Sequence, residues 1–194
     1  MKKLPIWFFI GWLGLVSSAW AQTDPDGEDI TAWFAQISGN SNFPTGHLDQ
    51  AVNQGWGGEG SIGYRLPGHI ELSLESGYDT FQAKNNLFNG TWNMVPVVVK
   101  GQIYLGHSMI RPYLFVAAGL AINSESASFL GITGTANETD FLEEAGIGFA
   151  FPLGNRSNFF IQGKVDFDNT SSHYAKDQPT VFFPISAGFQ FMMN

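Results

Sequence analysis

The sequence predicts an all-β protein, an antiparallel up-and-down barrel of eight strands. Segments that alternate apolar and polar side chains with a period of two recur along the chain, and this period is typical of strands rather than helices. Each segment has about nine to thirteen residues, close to the length that a tilted strand needs to cross a bilayer. The connections between the segments alternate between long and short, which is typical of an up-and-down transmembrane barrel.

The hairpin between Val95 and Ile122 shows this pattern most clearly. One face of its first strand carries valine, isoleucine and leucine, and the other carries Lys100, Gln102 and Tyr104. The second strand adds small and aromatic residues to that other face. Such a narrow, glycine-rich and partly charged face suits the lumen of a small barrel whose apolar side faces lipid. The sequence therefore predicts a transmembrane β-barrel.

The remaining strands follow from the same alternation. The first strand is blurred, because Trp33 and Phe34 are adjacent. Pro96 and Pro184 lie inside strands, where each removes a ladder donor, so a bulge or a strand end is predicted at each. In chain order the predicted strands are Ile30–Ser38, Trp56–Arg65, Ile70–Phe81, Val95–Leu105, Pro112–Ile122, Asp140–Phe151, Asn158–Asp168 and Val181–Met193.

Four long polar connections and three short turns join these strands. The short turns are Leu66–His69, Gly106–Arg111 and Pro152–Ser157, and the first has Pro and Gly in positions that favour them. The long connections are predicted to lie outside the cell, because barrels of this kind have short turns on the periplasmic side. They are Gly39–Gly55, Gln82–Thr91, Asn123–Thr139 and Asn169–Thr180.

Residues 1–21 have the features of a secretory signal peptide. Lys2 and Lys3 precede the apolar run Leu4–Val16, and the segment ends in an Ala-x-Ala site that predicts cleavage after Ala21. The apolar run is too short to span a bilayer as a helix. The sequence therefore predicts three parts: the signal peptide, a flexible acidic segment over residues 22–29, and one barrel over residues 30–194.

Composition excludes several classes of protein. The formal net charge of −8 makes nucleic acid a poor partner, and removal of Lys2 and Lys3 would make the chain more acidic still. The chain has no cysteine, so no disulfide holds it together. The four histidines are not in a metal-ligand spacing, and we predict neither a metal site nor a cofactor.

The chain resembles the eight-stranded outer-membrane β-barrels of Gram-negative bacteria, of the OmpA and OmpX type, from about Ile30 onward. The resemblance rests on the order of several short motifs: Val95–Val99, Arg111-Pro112-Tyr113, Ala117-Ala118-Gly119 and Ala145-Gly146-Ile147-Gly148-Phe149. At the C-terminus, Ser186, Gly188, Phe191 and Met193 resemble the signal that the outer-membrane assembly machinery recognises. This resemblance implies a location in the outer membrane, with its lipids, lipopolysaccharide and that machinery as partners.

Charged residues on the polar face predict a plug in the lumen. Glu59, Glu75 and Lys100 share the inward parity, with Glu59 predicted opposite Glu75 and Glu75 opposite Lys100. Two neighbouring carboxylates repel each other unless a cation lies between them, and Lys100 is placed to supply it. We therefore predict a structural ion cluster of these three residues.

The predicted role is non-enzymatic: a structural or surface-interaction barrel whose four outer loops contact an extracellular ligand or host surface. A narrow pore or small-ligand channel is the main alternative, because charged residues line the polar face. A lipid A-modifying enzyme would need a nucleophile and a base, and Ser171, Ser172 and His173 beside Asp168 are the residues that could supply them. A soluble lipocalin-like barrel would instead expose its Glu, Lys and Asp residues and fill its cavity with Phe and Val.

Overall fold

The structure is a computed structural model, and it describes residues 31–45, 47–84, 89–106, 109–129, 132–154, 156–168 and 180–193. The predicted signal peptide and the acidic segment lie outside the described residues. The strands are β1 (Ala32–Pro44), β2 (Gly55–Leu66), β3 (Ile70–Gln82), β4 (Asn89–Tyr104), β5 (Arg111–Phe129), β6 (Ile132–Pro152), β7 (Ser157–Asp168) and β8 (Thr180–Met193), with a short helix α1 (His47–Ala51) between β1 and β2. No helix in the described ranges is long and apolar enough to cross a membrane.

The eight strands form one closed antiparallel barrel. Each strand pairs with its neighbours in the sequence, and β8 pairs with β1 to close the sheet. The ladder partners can be followed from strand to strand once round the barrel, starting at Phe34 and passing through Ser73, Lys100 and Glu144. This path returns to β1 at Pro44, which is ten residues further along the strand than Phe34. This shear means that the strands tilt and that residues paired in the ladder lie at different heights along the axis. The predicted fold class is confirmed.

Several strands are longer than their alternation predicted. β1 continues to Pro44, and β5 and β6 pair as far as Phe129 and Ile132, so most of the predicted loop Asn123–Thr139 is strand. The prediction of a loop over Gly39–Gly55 is also wrong for its first third, and α1 occupies part of the rest. These segments contain several Asn and Gly residues, whose low strand propensity is overridden by cross-strand pairing.

The two prolines interrupt the ladder without shifting it. At Pro96 two successive pairs are missing between β3 and β4, and at Pro184 two are missing between β7 and β8. Toward the other neighbouring strand the pairing is continuous, through Pro96↔Ala121 and Asn42↔Pro184. The register before and after each gap is the same, as the flanking pairs show: Ser76↔Val97 with Asp79↔Met94, and Gly163↔Ile185 with Asp166↔Phe182. The predicted bulge or strand end is therefore wrong, because the missing N–H costs ladder bonds on one side only.

The distribution of polarity is that of a membrane-spanning barrel. Lys100 and its neighbours of the same parity are buried inside, where the described core includes many charged and amide side chains. Large apolar side chains cover the outside, and aromatic residues lie toward both ends of this surface. Among the exposed ones are Trp33, Ile37, Trp56, Ile62, Leu74, Tyr78, Val99, Leu120, Ile122, Phe141, Ile147, Phe167, Phe183 and Ile185. A soluble barrel would show the reverse arrangement.

Glycines on the lumen face make room for aromatic side chains. A Cβ added at Gly148 would lie 2.3 Å from Cζ of Tyr113, whereas one added at Gly163, on the outer face, would meet nothing within 4 Å. We therefore expect Gly148→Ala to lower the free energy of unfolding by about 1–3 kcal/mol through overpacking. Urea titration in lipid vesicles measures this, with Gly163→Ala as the matched control. Equal midpoints for the two variants would contradict the tight packing of Tyr113.

Candidate functional site: the polar lumen

Lys164 is the centre of an ion network in the middle of the lumen. Its Nζ lies 2.8 Å from Oε1 of Glu59, 3.0 Å from Oε1 of Glu144 and 3.5 Å from Oδ2 of Asp166. These carboxylates come from β2, β6 and β7, so the lysine joins opposite walls of the barrel. All four side chains are buried. Together they fill the cross-section where a water-filled channel would otherwise run.

Lys100 and Glu75 form a second buried ion pair. Nζ of Lys100 donates to Oε2 of Glu75 and lies 5.2 Å from the centre of the Phe115 ring, a cation–π contact. In the ladder Lys100 pairs with Ser73, so Glu75 is its diagonal neighbour on the same face. The predicted register, with Glu75 directly opposite Lys100, is therefore wrong by two residues.

Glu59 lies apart from the Lys100 pair. It is opposite Gly77 in the ladder, and Ser61 is opposite Glu75, so the predicted pairing of Glu59 with Glu75 is also wrong by two residues. The absence of a side chain at Gly77 makes space for Glu59, because a Cβ there would lie 2.9 Å from Cγ of Glu59. The structure thus brings Lys100 and Glu75 together and gives Glu59 a different cation, Lys164.

Carboxylates outnumber lysines in this part of the lumen. Glu59, Glu75, Glu144 and Asp166 face Lys100 and Lys164. One oxygen of Glu59, of Glu144 and of Asp166 is buried without a hydrogen-bond partner. Lys164 therefore neutralises more than one acid, and its loss would leave several buried charges without a cation.

Two asparagines extend the network toward the end of the barrel that lies away from the short turns. Nδ2 of Asn40 donates to Oδ1 of Asp79 over 2.9 Å and to Oε1 of Glu59 over 3.2 Å, and Nδ2 of Asn42 donates to the same Asp79 oxygen over 2.7 Å. β1 carries both asparagines in the part that the sequence had predicted as loop. Asn40 links Asp79 to the ion network around Lys164.

A second polar hub lies at the end of the barrel with the short turns. Glu71 accepts hydrogen bonds from Nε of Arg65 over 2.7 Å and from the amides of Gln102 and Gln190 over 2.8 Å each. The hydroxyl of Tyr104 lies 3.5 Å from the same carboxylate, and the guanidinium of Arg65 lies over the Tyr104 ring. Four strands therefore converge on one fully buried carboxylate.

Aromatic clusters lie on both sides of the ion network around Lys164. At the short-turn end the cluster consists of Tyr104, Tyr113, Phe115, Ala150 and Phe160. At the other end it consists of Val52, Phe81, Trp92 and Phe182, with Ala51 of α1 packed against it. The rings of Trp92 and Phe182 are stacked with their centres 5.3 Å apart. The described lumen is thus filled by side chains along its length.

Of the residues considered for a hydrolase, Asp168 lies within the described ranges. Asp168 is buried and accepts a hydrogen bond of 3.0 Å from Nδ2 of Asn123, which also donates to Asp140. Ser171, Ser172 and His173 lie outside the described residues. Within the ranges that the structure describes, no group of three or more acidic, His or Cys residues is arranged to hold a metal ion.

Sequence reasoning missed some members of the networks. Glu144 was overlooked because it follows Glu143, so the alternation of β6 became visible only from Ala145 onward. Asn40, Asn42 and Asn123 were overlooked because Asn-rich sequence is typical of loops. The spacing of two between Asn40 and Asn42, with Phe43 on the other face, is the signal that could have revealed them.

The residues of the C-terminal motif lie on both faces of β8. Ser186 is buried in the lumen, and Phe191 and Met193 are exposed on the apolar surface. Gly188 faces a close approach of β1, where an added Cβ would lie 2.1 Å from the carbonyl oxygen of Ile37. Recognition of this motif by the assembly machinery stays a prediction.

Comparison with solved structures shows the same architecture. Neisserial surface protein A has a TM-score of 0.62 at 14% identity, with 84% of this chain and 99% of that chain covered. A major outer membrane protein from Thermus thermophilus has a TM-score of 0.62 at 11% identity, with 84% and 100% covered. Ail, the attachment invasion locus protein of Yersinia pestis, solved with the heparin analogue sucrose octasulfate, has a TM-score of 0.53 at 13% identity, with 83% and 97% covered.

At the level of sequence, no protein-family model matches the chain, and no curated protein matches it. The structural matches have identities at which the fold alone is shared. Together with the closed sheet, the apolar exterior and the buried polar lumen, they lead to one conclusion. The protein is an eight-stranded transmembrane β-barrel with the fold of bacterial outer-membrane proteins.

Proposed function

We propose that the protein is a non-conducting outer-membrane barrel that presents its outer end as a contact surface. The filled lumen supports this role most directly. Lys164 bridges three strands with buried carboxylates, and aromatic clusters lie above and below it. An eight-stranded barrel has an interior just wide enough for side chains to fill, so a continuous water path would require these networks to rearrange.

The contact surface is centred on an extension of the barrel wall. β4, β5 and β6 continue pairing as far as Asn89↔Ser128 and Phe129↔Ile132, and residues 134–139 are exposed. Wall segments this far beyond the apolar band, which ends near Ile122 and Phe141, lie in water rather than lipid. They give a rigid support for recognition, which is more precise than a loop.

The chemistry of this extension favours a neutral or cationic ligand. It carries the exposed Glu138 and the half-buried Glu125, while the basic Lys84 nearby on the outer connection of β3 is paired with Asp49 at 2.9 Å. Ail was solved with a heparin analogue, which is a polyanion. An acidic surface repels such a ligand, so we propose a different ligand class for this protein.

Planar-bilayer recordings test the closed lumen. Purified, folded protein should insert without giving single-channel steps, because the ion networks and aromatic clusters block the path. The double variant Glu59→Ala, Lys164→Ala lacks the central bridge and serves as the comparison. Its folded form should conduct more readily than the natural protein. Stable channel steps from the unaltered protein would replace this proposal with the narrow-pore alternative.

Epitope insertion on intact cells tests the contact surface in the same preparation. An epitope inserted at Gly134, where an added Cβ meets nothing within 4 Å, should be bound by antibody on unbroken cells. The same epitope at Gly68, in the β2–β3 turn, should be bound only after the cells are opened. Antibody binding confined to the Gly68 insertion would invert the orientation and remove the extension as an extracellular surface.

A further inference from the structure

The β4–β5 and β6–β7 turns expose large apolar side chains at the short-turn end of the barrel. Met109 is 89% exposed, Leu105 48% and Leu153 59%. The β2–β3 turn is different, because its exposed tip consists of Pro67 and Gly68. Exposed apolar side chains grouped at one side of a rim indicate contact with a partner or with a membrane.

These apolar side chains continue the lipid-facing surface. Leu114 on β5 and Phe149 on β6 are exposed on the outer face, and β5 and β6 remain paired down to Arg111↔Ala150. The hydrogen bond of 2.8 Å from the amide of Leu105 to the carbonyl of Pro112 holds the first turn directly below this surface. The apolar band therefore extends further toward the short-turn end on the side formed by β4–β7 than it does at the β2–β3 turn.

The exposed charged side chain described at these two turns is basic. Within the described ranges, Arg65, Arg111 and Arg156 lie at the short-turn end, and Glu71 is the carboxylate there. Glu71 is buried and is paired with Arg65, so it does not neutralise the other two arginines. Arg156 is exposed in the same turn as Leu153, which places a guanidinium beside an apolar side chain.

We propose that the β4–β5 and β6–β7 turns insert into the phospholipid interface, with Arg156 binding lipid phosphates. Amphipathic surfaces of this kind lie at the boundary of headgroups and acyl chains, because apolar side chains leave water there while cations reach the headgroups. A guanidinium matches phosphate geometry with two parallel hydrogen bonds. The barrel consequently sits deeper in the leaflet on its β4–β7 side, and the β2–β3 turn stays in water.

Single-cysteine labelling tests this directly, because the natural chain contains no cysteine. Met109→Cys, Leu153→Cys and the control Pro67→Cys each receive a nitroxide, and each full-length variant is folded into phosphatidylcholine vesicles. Migration of unboiled samples on a gel verifies folding. Power saturation with oxygen and with a water-soluble nickel complex then reports depth. We expect the first two labels to be several-fold less accessible to nickel than the label at position 67.

A second arm tests the phosphate contact. Adding phosphatidylglycerol should further reduce nickel access at position 153, and Arg156→Gln should abolish that lipid dependence. Equal nickel access at all three positions would overturn the proposal. It would indicate that the exposed apolar side chains of the two turns bind a soluble partner instead. Protection at positions 109 and 153 that is insensitive to both phosphatidylglycerol and Arg156→Gln would overturn the phosphate-binding part.

Discussion

Replacing Lys164 with methionine should destabilise the barrel more than any other single substitution in the central lumen. Its ammonium contacts Glu59, Glu144 and Asp166, and methionine keeps the apolar volume while removing the charge. The three carboxylates would then be buried without their shared cation. Removing one partner of a buried ion cluster typically costs about 3–5 kcal/mol, so the urea midpoint in lipid vesicles should fall clearly.

Rescue variants separate charge from packing. Asp166→Asn or Glu144→Gln in the Lys164→Met background should restore part of the midpoint, because each removes one uncompensated charge. Lys100→Met should cost less, since that lysine has one carboxylate within ion-pair distance, and Glu75→Gln should restore most of the loss. If Lys164→Met leaves the midpoint unchanged, water already screens these charges and the lumen is open.

Replacing Glu71 with leucine should give the second large loss of stability, at the short-turn end of the lumen. This carboxylate accepts hydrogen bonds from Arg65, Gln102 and Gln190 and has no exposed surface. Leucine would leave two buried amides and the partly exposed guanidinium of Arg65 without this acceptor. The expected cost is again about 3–5 kcal/mol, because the guanidinium of Arg65 loses its ion-pair partner.

The matched control is Glu138→Leu, at an exposed position of β6. It makes the same chemical change in water, where a surface carboxylate contributes little to stability. The urea midpoints of both variants should therefore be compared with that of the natural protein. Equal small shifts would show that Arg65 and the two glutamines find other partners, and the hub around Glu71 would lose its structural role.

The inward and outward faces could be predicted because they depend on local geometry. Successive side chains of a strand point to opposite sides, so Lys100, Gln102 and Tyr104 had to share one face and Val97 and Val99 the other. The structure places all of these as predicted. Parity requires no knowledge of which strand lies next to which, and the same reasoning placed Glu59 and Glu75 in the lumen.

The limits of the strands could not be predicted in the same way. Polar sequence beyond the membrane, such as that around Asn123, can form either loop or strand, and its state depends on pairing with a neighbouring strand. Glu144 was missed for a related reason, because two adjacent glutamates conceal the alternation. The position of each strand end was therefore a property of the sheet and not of the segment.

The sequence by itself determined the number of strands, their order, their faces and the apolar exterior, because these follow from a period of two and from the lengths of the connections. Only the tertiary structure decided which lysine meets which carboxylate. Closure with a shear of ten residues sets ladder partners at different heights, so Lys100 meets its diagonal neighbour Glu75 and Lys164 reaches Glu59 across the lumen. Shear belongs to the closed barrel as a whole, and no single segment of the chain encodes it.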